Sequence, residues 1–151
     1  MKVLLSASAC HPELGSEGGL GWKAATALAK QHQVHVMTSV AERGAVERVL
    51  SSGAYPNLSF TFFGTDAPYH ANRLIARLQS WTRYMSWLRQ SLEVAQGLAG
   101  QCRFDLAHHV TISSWRVPSP LWQLSLPFIW GPVGGVADYP ARLLHKLAPL
   151  S

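Results

Sequence analysis

The first residues that could do chemistry are glycines and polar side chains that follow the chain's first apolar run. Residues 10–22 are CHPELGSEGGLGW, with glycines at positions 15, 18, 19 and 21 and a helix-like stretch directly afterwards. Free backbone N–H groups at the start of a helix favour an anion. The pattern predicts phosphate contacts from Ser16, Gly18 and Gly19, with Glu17 as a candidate acid or base. An equally supported alternative is that the glycines only turn the chain and let the helix pack tightly.

The same stretch contains a G-x-G-x-x-A pattern at 19–24, which is the spacing of a dinucleotide-binding turn. That turn needs its first glycine directly after a strand and an acidic residue at the end of the second strand. Here the first apolar run ends near Ser8, well before Gly19, and the second ends in Met37-Thr38-Ser39. Both requirements fail, and no G-x-x-x-x-G-K-[ST] sequence is present. A nicotinamide or P-loop site is therefore disfavoured.

A second candidate segment is FDLAHHVTISSWRVPS at 104–119. His108 and His109 are neighbours on a predicted strand and point to opposite faces, so at most one could do acid or base work in a crevice. The alternative is a packed, hydrogen-bonded histidine. Arg116 could bind a phosphate or carboxylate, and Ser113 or Ser114 could cap the next short helix. No other metal-ligating residue stands nearby at ligand spacing, so no metal site is expected.

Short apolar runs alternate with helix-like stretches along the chain. Strands are predicted at 2–8, 34–38, 58–63, 104–110 and 127–131, with helices from about 20 to 32, 41 to 52 and 71 to 99. The alternation predicts an α/β fold, a Rossmann-like parallel sheet flanked by helices. Ligands bind such sheets outside the carboxyl ends of the strands. A second glycine cluster follows the last strand there, so Gly134 and Gly135 join the candidate phosphate-binding residues.

The long helix at 71–99 carries an apolar stripe that should pack on the sheet. The stripe consists of Leu74, Leu78, Trp81, Met85, Leu88, Leu92 and Ala95. Cations and an aromatic residue fall beside it: Arg73, Arg77, Arg83, Arg89 and Trp87. Such a composition is typical of a helix lying on anionic lipid, and these five are the candidate membrane-facing residues. The alternative is a core helix with an ordinary solvated basic face.

Composition narrows the class of protein. The 151 residues suffice for one domain. Thirteen Lys and Arg against eight Asp and Glu give a net charge of +5, which favours anionic surfaces. Two distant cysteines, Cys10 and Cys102, predict reduced thiols in a cytoplasmic protein. The opening apolar run is too short for a secretory signal, and no run is long enough to span a membrane.

Several segments, taken in order, resemble the amino-terminal domain of family 4 glycosyltransferases of the GT-B type. They are MKVLLSA at 1–7, GSEGGLGW at 15–22, HHVT at 108–111, WRVPS at 115–119 and PFIWGPVGG at 127–135. The resemblance covers nearly the whole chain, and each segment after the first falls at or near the carboxyl end of a predicted strand. It implies the Rossmann-like amino-terminal half of a two-domain fold.

The resemblance also implies an activity, the retaining transfer of a sugar from a nucleotide-sugar to an acceptor. The nucleotide-sugar is a co-substrate, and neither a bound cofactor nor a metal is required. The implied partners are a sugar acceptor, lipid-linked or polysaccharide, and an anionic membrane surface, with no nucleic acid. Gly18 and Gly19 would approach the donor diphosphate, and the implied location is the cytoplasm, peripheral to the inner face of the cell membrane.

The chain departs from the family pattern in two places. Many members carry a histidine after the last strand, where this chain has Gly-Pro-Val-Gly-Gly, which leaves backbone amides for that contact. The family's carboxyl-terminal, donor-binding domain is not within these residues, so we expect it on a missing part or on another chain. The isolated chain should then lack activity. The alternative function is a non-catalytic module that binds a sugar phosphate or an anionic membrane and acts through a partner.

Overall fold

The computed structural model describes residues 1–134 and contains five strands and three α-helices there. The strands are β1 (Lys2–Ala7), β2 (Gln33–Ser39), β3 (Leu58–Phe63), β4 (Leu106–Thr111) and β5 (Phe128–Trp130). The helices are α1 (Ser16–Ala29), α2 (Arg43–Leu50) and α3 (Arg73–Gln101), with short 3-10 helices at Val40–Glu42 and Pro120–Gln123. Each predicted element is present, with bounds shifted by a few residues.

All the strands pair in parallel, in the order β3-β2-β1-β4-β5. The predicted α/β, Rossmann-like class is confirmed. The chain runs outward from β1 to β3 and then crosses back to place β4 on the other side of β1. The strand order therefore reverses between β1 and β4, and in open α/β sheets the ligand crevice lies at such a reversal.

Both faces of the sheet are covered, which is why β1 is apolar at nearly every position. Leu5 packs with Trp22 and Ala25 of α1 on one face. Leu4 packs with Ala95 of α3 and with Leu121 on the other. A strand buried on both sides favours a continuous apolar run over an alternating pattern.

Helix α3 is longer than the sheet it covers. Its 29 residues extend about 43 Å at 1.5 Å per residue, whereas a six-residue strand extends about 20 Å. The buried residues of α3 begin only at Tyr84, so the amino-terminal half of the helix projects beyond the carboxyl edge of the sheet. Leu74, Leu78 and Trp81 are 74%, 67% and 52% exposed. The predicted apolar stripe packs on the sheet in its second half and not in its first.

None of the helices in residues 1–134 combines the length and the apolar character that crossing a bilayer requires.

Candidate functional site at the carboxyl edge of the sheet

Ser113, just after β4, connects the segments that surround the strand reversal. Its hydroxyl donates a 2.6 Å hydrogen bond to Oε1 of Glu17, and its backbone N–H donates to the same oxygen at 3.3 Å. Its carbonyl accepts a 2.8 Å hydrogen bond from the N–H of Gly134. Glu17 belongs to the first glycine segment and Gly134 to the second. The structure therefore brings three of the predicted site segments together at one residue.

A second contact closes the same edge between the ends of β1 and β4. The Thr111 hydroxyl donates to the Ala9 carbonyl and accepts from the Ala9 N–H, both at 3.1 Å. The segment that follows β1 is thus fixed against the end of β4 before α1 begins.

The two histidines of β4 have different surroundings. His109 is fully buried, and its Nδ1 lies 2.9 Å from the Ser6 hydroxyl oxygen. Burial, with a smaller contribution from His108, lowers the pKa of His109 to about 4. His109 is therefore neutral at physiological pH, and its Nε2 has no partner among residues 1–134. It is a core residue and not an exposed acid or base.

His108 is half-buried and contacts the segment that follows β5. Its Nε2 donates a 2.8 Å hydrogen bond to the carbonyl of Gly131. Gly131 in turn donates its N–H to the carbonyl of His109 at 3.0 Å. His108 thus holds the second glycine segment beside β4.

Gly18, Gly19 and Gly21 lie within α1, which begins at Ser16. The sequence predicted a helix only from about residue 20, with Gly18 and Gly19 in a loop before it, and that prediction is wrong. A Cβ on Gly19 would lie 2.5 Å from the Leu14 carbonyl oxygen, and one on Gly21 would be still closer to the carbonyl oxygen of Ala9. Since real Cβ atoms do not approach so closely, these two positions require glycine. The tight-packing alternative is confirmed for Gly19 and Gly21.

The start of α1 nevertheless retains the feature that favours an anion. Its first N–H groups, from Ser16 to Gly18, have no intrahelical acceptors, and the N-cap residue Gly15 offers no side chain to cap them. Ser16 adopts a left-handed φ of 54°, which costs a non-glycine residue some conformational energy. These free N–H groups lie at the strand reversal, around the backbone of Glu17.

Two other predicted residues lie near this edge in different roles. Arg116 is exposed, and its guanidinium lies 5.7 Å from the ring centre of Trp115. The following 3-10 helix is capped by Ser119, which accepts from the N–H of Leu121, so the expected cap at Ser113 or Ser114 is wrong. Gly135 lies outside the described residues.

The candidate membrane-facing residues of α3 separate into two groups. Trp87 is only 4% exposed because its ring stacks on Phe63 at 4.8 Å, so its prediction as a membrane-facing residue is wrong. Arg83 donates to the carbonyls of Ala67 and Pro68 at 2.6 and 3.0 Å, which engages it within the protein. The remaining candidates are exposed: Arg73, Arg77 and Arg89.

A cleft of about 360 Å³ opens at the carboxyl ends of β1, β2 and β3, beside the strand reversal. We call it the polar cleft because it contains several hydroxyl and carboxylate side chains, although most of its exposed lining is apolar. Its walls include Ser39, Glu42 and Asp66, together with Tyr84 and Trp87 of α3. One feature of the sequence could have indicated this cleft, since Asp66 follows the predicted strand 58–63 at the expected ligand edge. Tyr84 was missed because it lies beside the apolar stripe and not within it.

Tyr84 lies between the cleft and the hydrogen-bonded pair Glu17 and Ser113. Its hydroxyl is buried beside the Ile112 backbone without a hydrogen bond of good geometry, and Oε2 of Glu17 is likewise buried without a partner among residues 1–134. Burial raises the pKa of Tyr84, and the nearby Glu17 carboxylate raises it further. Two buried polar groups in this area thus remain available to a ligand or to a rearranged side chain.

Neither a metal site nor a thiol nucleophile is evident in this part of the chain. Within residues 1–134, no three His, Cys, Asp or Glu residues are grouped closely enough to hold a metal ion. Cys10 is fully buried, and burial, with a contribution from Glu42, raises the pKa of its thiol to about 12. A thiolate at Cys10 is therefore negligible at neutral pH.

Comparison with known proteins adds no relative: no family model, curated protein or solved structure matches this chain. The function is therefore argued from the geometry of the site.

Proposed function

We propose that this chain is the acceptor-binding half of a retaining glycosyltransferase that uses a nucleotide-sugar as donor. The observation that supports it is the junction at Ser113. One residue contacts Glu17 of the first glycine segment and Gly134 of the second, at the strand reversal where α/β sheets bind ligands. These are the segments that carry the family resemblance, and they lie far apart in the sequence.

The site supplies groups suited to a donor diphosphate. The uncapped N–H groups at the start of α1, including that of Gly18, favour negative charge. The second glycine segment closes the other side of the site, where the N–H of Gly134 is already bound to the Ser113 carbonyl. Arg116, three positions after Ser113, is exposed and could neutralise a phosphate. Neither a metal nor a bound cofactor has a role in this proposal.

Glu17 is the group we assign to the acceptor. Ser113 orients the carboxylate through Oε1 and leaves Oε2 without a partner among the described residues. Oε2 is buried in this arrangement, so a movement of the edge that exposes it is needed before an acceptor hydroxyl can donate to it beside the diphosphate site. The family resemblance places the donor-binding half in a second domain, so the proposal requires that domain to complete the cleft.

Reconstitution tests this function. The 151-residue chain is mixed with, or fused to, donor-binding domains of GT-B glycosyltransferases, and transfer of radiolabelled sugar is measured with a panel of nucleotide-sugars and acceptors. We expect no transfer by the chain alone and transfer with at least one donor-binding domain. Robust transfer by the chain alone would contradict the half-enzyme assignment.

A second candidate function, contact with an anionic membrane, is favoured by a different observation. Leu74, Leu78 and Trp81 are exposed on the projecting half of α3, next to the exposed Arg73 and Arg77. Apolar and cationic side chains on one helix face favour binding to anionic lipid. On this proposal the protein is peripheral to the inner face of the cell membrane.

A further inference from the structure

Two cavities meet at Tyr84. The first is the polar cleft of about 360 Å³ described above, and the second is an apolar groove of about 630 Å³ on the projecting half of α3. Ser80, Tyr84 and Ile112 line both of them. The two cavities are therefore neighbouring parts of one depression, with hydroxyl and carboxylate side chains concentrated at one end and large apolar side chains at the other. Each volume is within the range of about 300–1,000 Å³ that is usual for small-molecule sites.

The polar end contains buried donors that nothing in residues 1–134 satisfies. Tyr84 and Trp87 are 7% and 4% exposed, and among residues 1–134 neither the phenol hydroxyl nor the indole N–H has a hydrogen-bond partner of good geometry. The side chains of Ser39 and Glu42 line the same cleft. An unsatisfied buried donor is costly, and a ligand with several hydroxyl groups could supply acceptors once these two side chains turn towards the cleft.

The charge around the cleft disfavours an anionic ligand. Arg83 is the only Lys or Arg among the described residues that line it, and its guanidinium is already bound to two backbone carbonyls and stacked 4.2 Å from the centre of the Tyr69 ring. Glu42 and Asp66 lie in the same walls. A phosphate in the cleft would meet these carboxylates, and the exposed Arg77 lines the groove and not the cleft, so an uncharged head group fits the cleft better.

The apolar end exposes large side chains that a hydrocarbon would cover. Leu74, Leu78 and Trp81 line the groove and are more than half exposed. Removing methylene groups from water is favourable, so an alkyl chain laid along this groove would add substantially to binding. The groove continues along α3 and is open to solvent, which suits a tail longer than a single ring.

We propose that this depression binds a glycolipid, with an uncharged sugar head in the polar cleft and its hydrocarbon tail along the apolar groove. The inference rests on the proposed function where it identifies this glycolipid as the sugar acceptor. The binding itself follows from the cleft and the groove.

The test uses the full chain and isothermal titration calorimetry, with octyl β-glucoside below its micelle-forming concentration as the probe. Glucose carries the head alone, and octyl phosphate carries the same tail with an anionic head. We expect octyl β-glucoside to bind about tenfold more tightly than either. Phenyl β-glucoside should bind more weakly than octyl β-glucoside, since its ring fills less of the groove.

Matched variants locate the binding. Trp81→Glu should weaken octyl β-glucoside about fivefold, because it places a charge beside the tail. Trp122→Glu changes another exposed tryptophan, 64% exposed and not in the groove, and should leave the affinity unchanged. Asp66→Lys should raise the affinity for octyl phosphate, since it reverses a charge at the head. Equal weakening by both tryptophan variants would overturn the proposal, as would octyl phosphate binding as tightly as octyl β-glucoside.

The result is separable from the proposed function. Binding of octyl β-glucoside without sugar transfer by any reconstituted pair would leave this site standing and remove its role as an acceptor site. Transfer to polysaccharide acceptors, with no binding of octyl β-glucoside, would remove this site alone.

Discussion

Glu17 and Ser113 share a 2.6 Å hydrogen bond although they are 96 positions apart in the chain. The contact joins the first turn of α1 to the segment after β4, across the point where the strand order reverses. Ser113 also accepts from the N–H of Gly134, so a single serine holds the walls of the candidate site in register.

Removing the Ser113 hydroxyl should weaken this edge measurably. We expect Ser113→Ala to lower the free energy of unfolding by about 1–2 kcal/mol, because hydrogen bonds to charged groups contribute about 1.5–3 kcal/mol and Glu17 is only half-buried. Urea denaturation measures the loss. Ser114→Ala is the matched control, since the Ser114 hydroxyl accepts only a long 3.4 Å bond from Arg116 N–H. Equal losses for the two variants would contradict the importance of the Glu17 contact.

The buried His109 predicts a stability that falls in acid. Its pKa is about 4 in the folded protein and about 6.5 when unfolded, so between these values the unfolded chain binds more protons. Stability should therefore decrease as pH falls from 6.5 towards 4, by about 2 kcal/mol between pH 7 and pH 5. His35, whose pKa is lowered by burial and by Lys2, acts in the same direction.

Substitution isolates the contribution of His109. Urea denaturation at pH 7 and at pH 5 gives the change in the free energy of unfolding for wild type and for His109→Gln. The variant should lose about 2 kcal/mol less than wild type on acidification, whatever its stability at pH 7. An identical acid dependence in the two proteins would exclude this role.

The two kinds of helical glycine should respond oppositely to alanine. Gly21→Ala should destabilise the protein by about 1–3 kcal/mol or more, because the added methyl meets the Ala9 backbone carbonyl. Gly97→Ala, in α3 with nothing within 4 Å of the new Cβ, should stabilise it by about 0.5–1 kcal/mol. Thermal denaturation compares the variants. Stabilisation by both would show that α1 does not pack against residues 9–14 as described.

The cysteines should differ in reactivity. In the folded protein Cys102 should react with iodoacetamide at pH 8 while Cys10 stays unmodified, because Cys10 is fully buried and its thiol pKa is raised to about 12. Mass spectrometry of peptides measures both sites. In urea the two should react alike, and early modification of Cys10 in the native protein would contradict its burial.

Membrane contact predicts a dependence on two arginines. Sedimentation with vesicles should show more binding to anionic than to neutral lipid, and Arg73→Ser combined with Arg77→Ser should remove most of the difference. The control replaces Lys23 and Lys30 of the α1 region, which are also exposed and carry the same charge. An equal effect of both pairs would indicate a response to net charge and not to the α3 face.

Local pattern predicted the sheet because each strand contains several apolar residues within a short segment. The segments at 2–8 and 104–110 could be recognised without knowledge of their partners, and the reversal between β1 and β4 puts both at the centre. The pairing of Glu17 with Ser113 could not be predicted, since no local pattern links residues so far apart.

Two other features depended on distances that a sequence does not contain. Leu74 and Leu78 of the predicted stripe do not pack on the sheet, because α3 is longer than the strands it covers. That difference in length is not visible in the sequence. Gly18 and Gly19 suggested ligand contact, whereas the atom nearest to a Cβ at Gly19 is the carbonyl oxygen of Leu14. In both cases the sequence identified the unusual residues but not the atoms that surround them in the fold.

The central claim is tested most directly by sugar transfer in the reconstituted pair, with Glu17→Gln compared with Glu47→Gln. Glu47 is exposed on α2, away from the candidate site, and controls for the loss of one carboxylate. The account predicts that Glu17→Gln lowers transfer by about 100-fold or more, as expected for a group that holds the reacting hydroxyl, while Glu47→Gln has no effect. Transfer that is unchanged in Glu17→Gln would contradict the account.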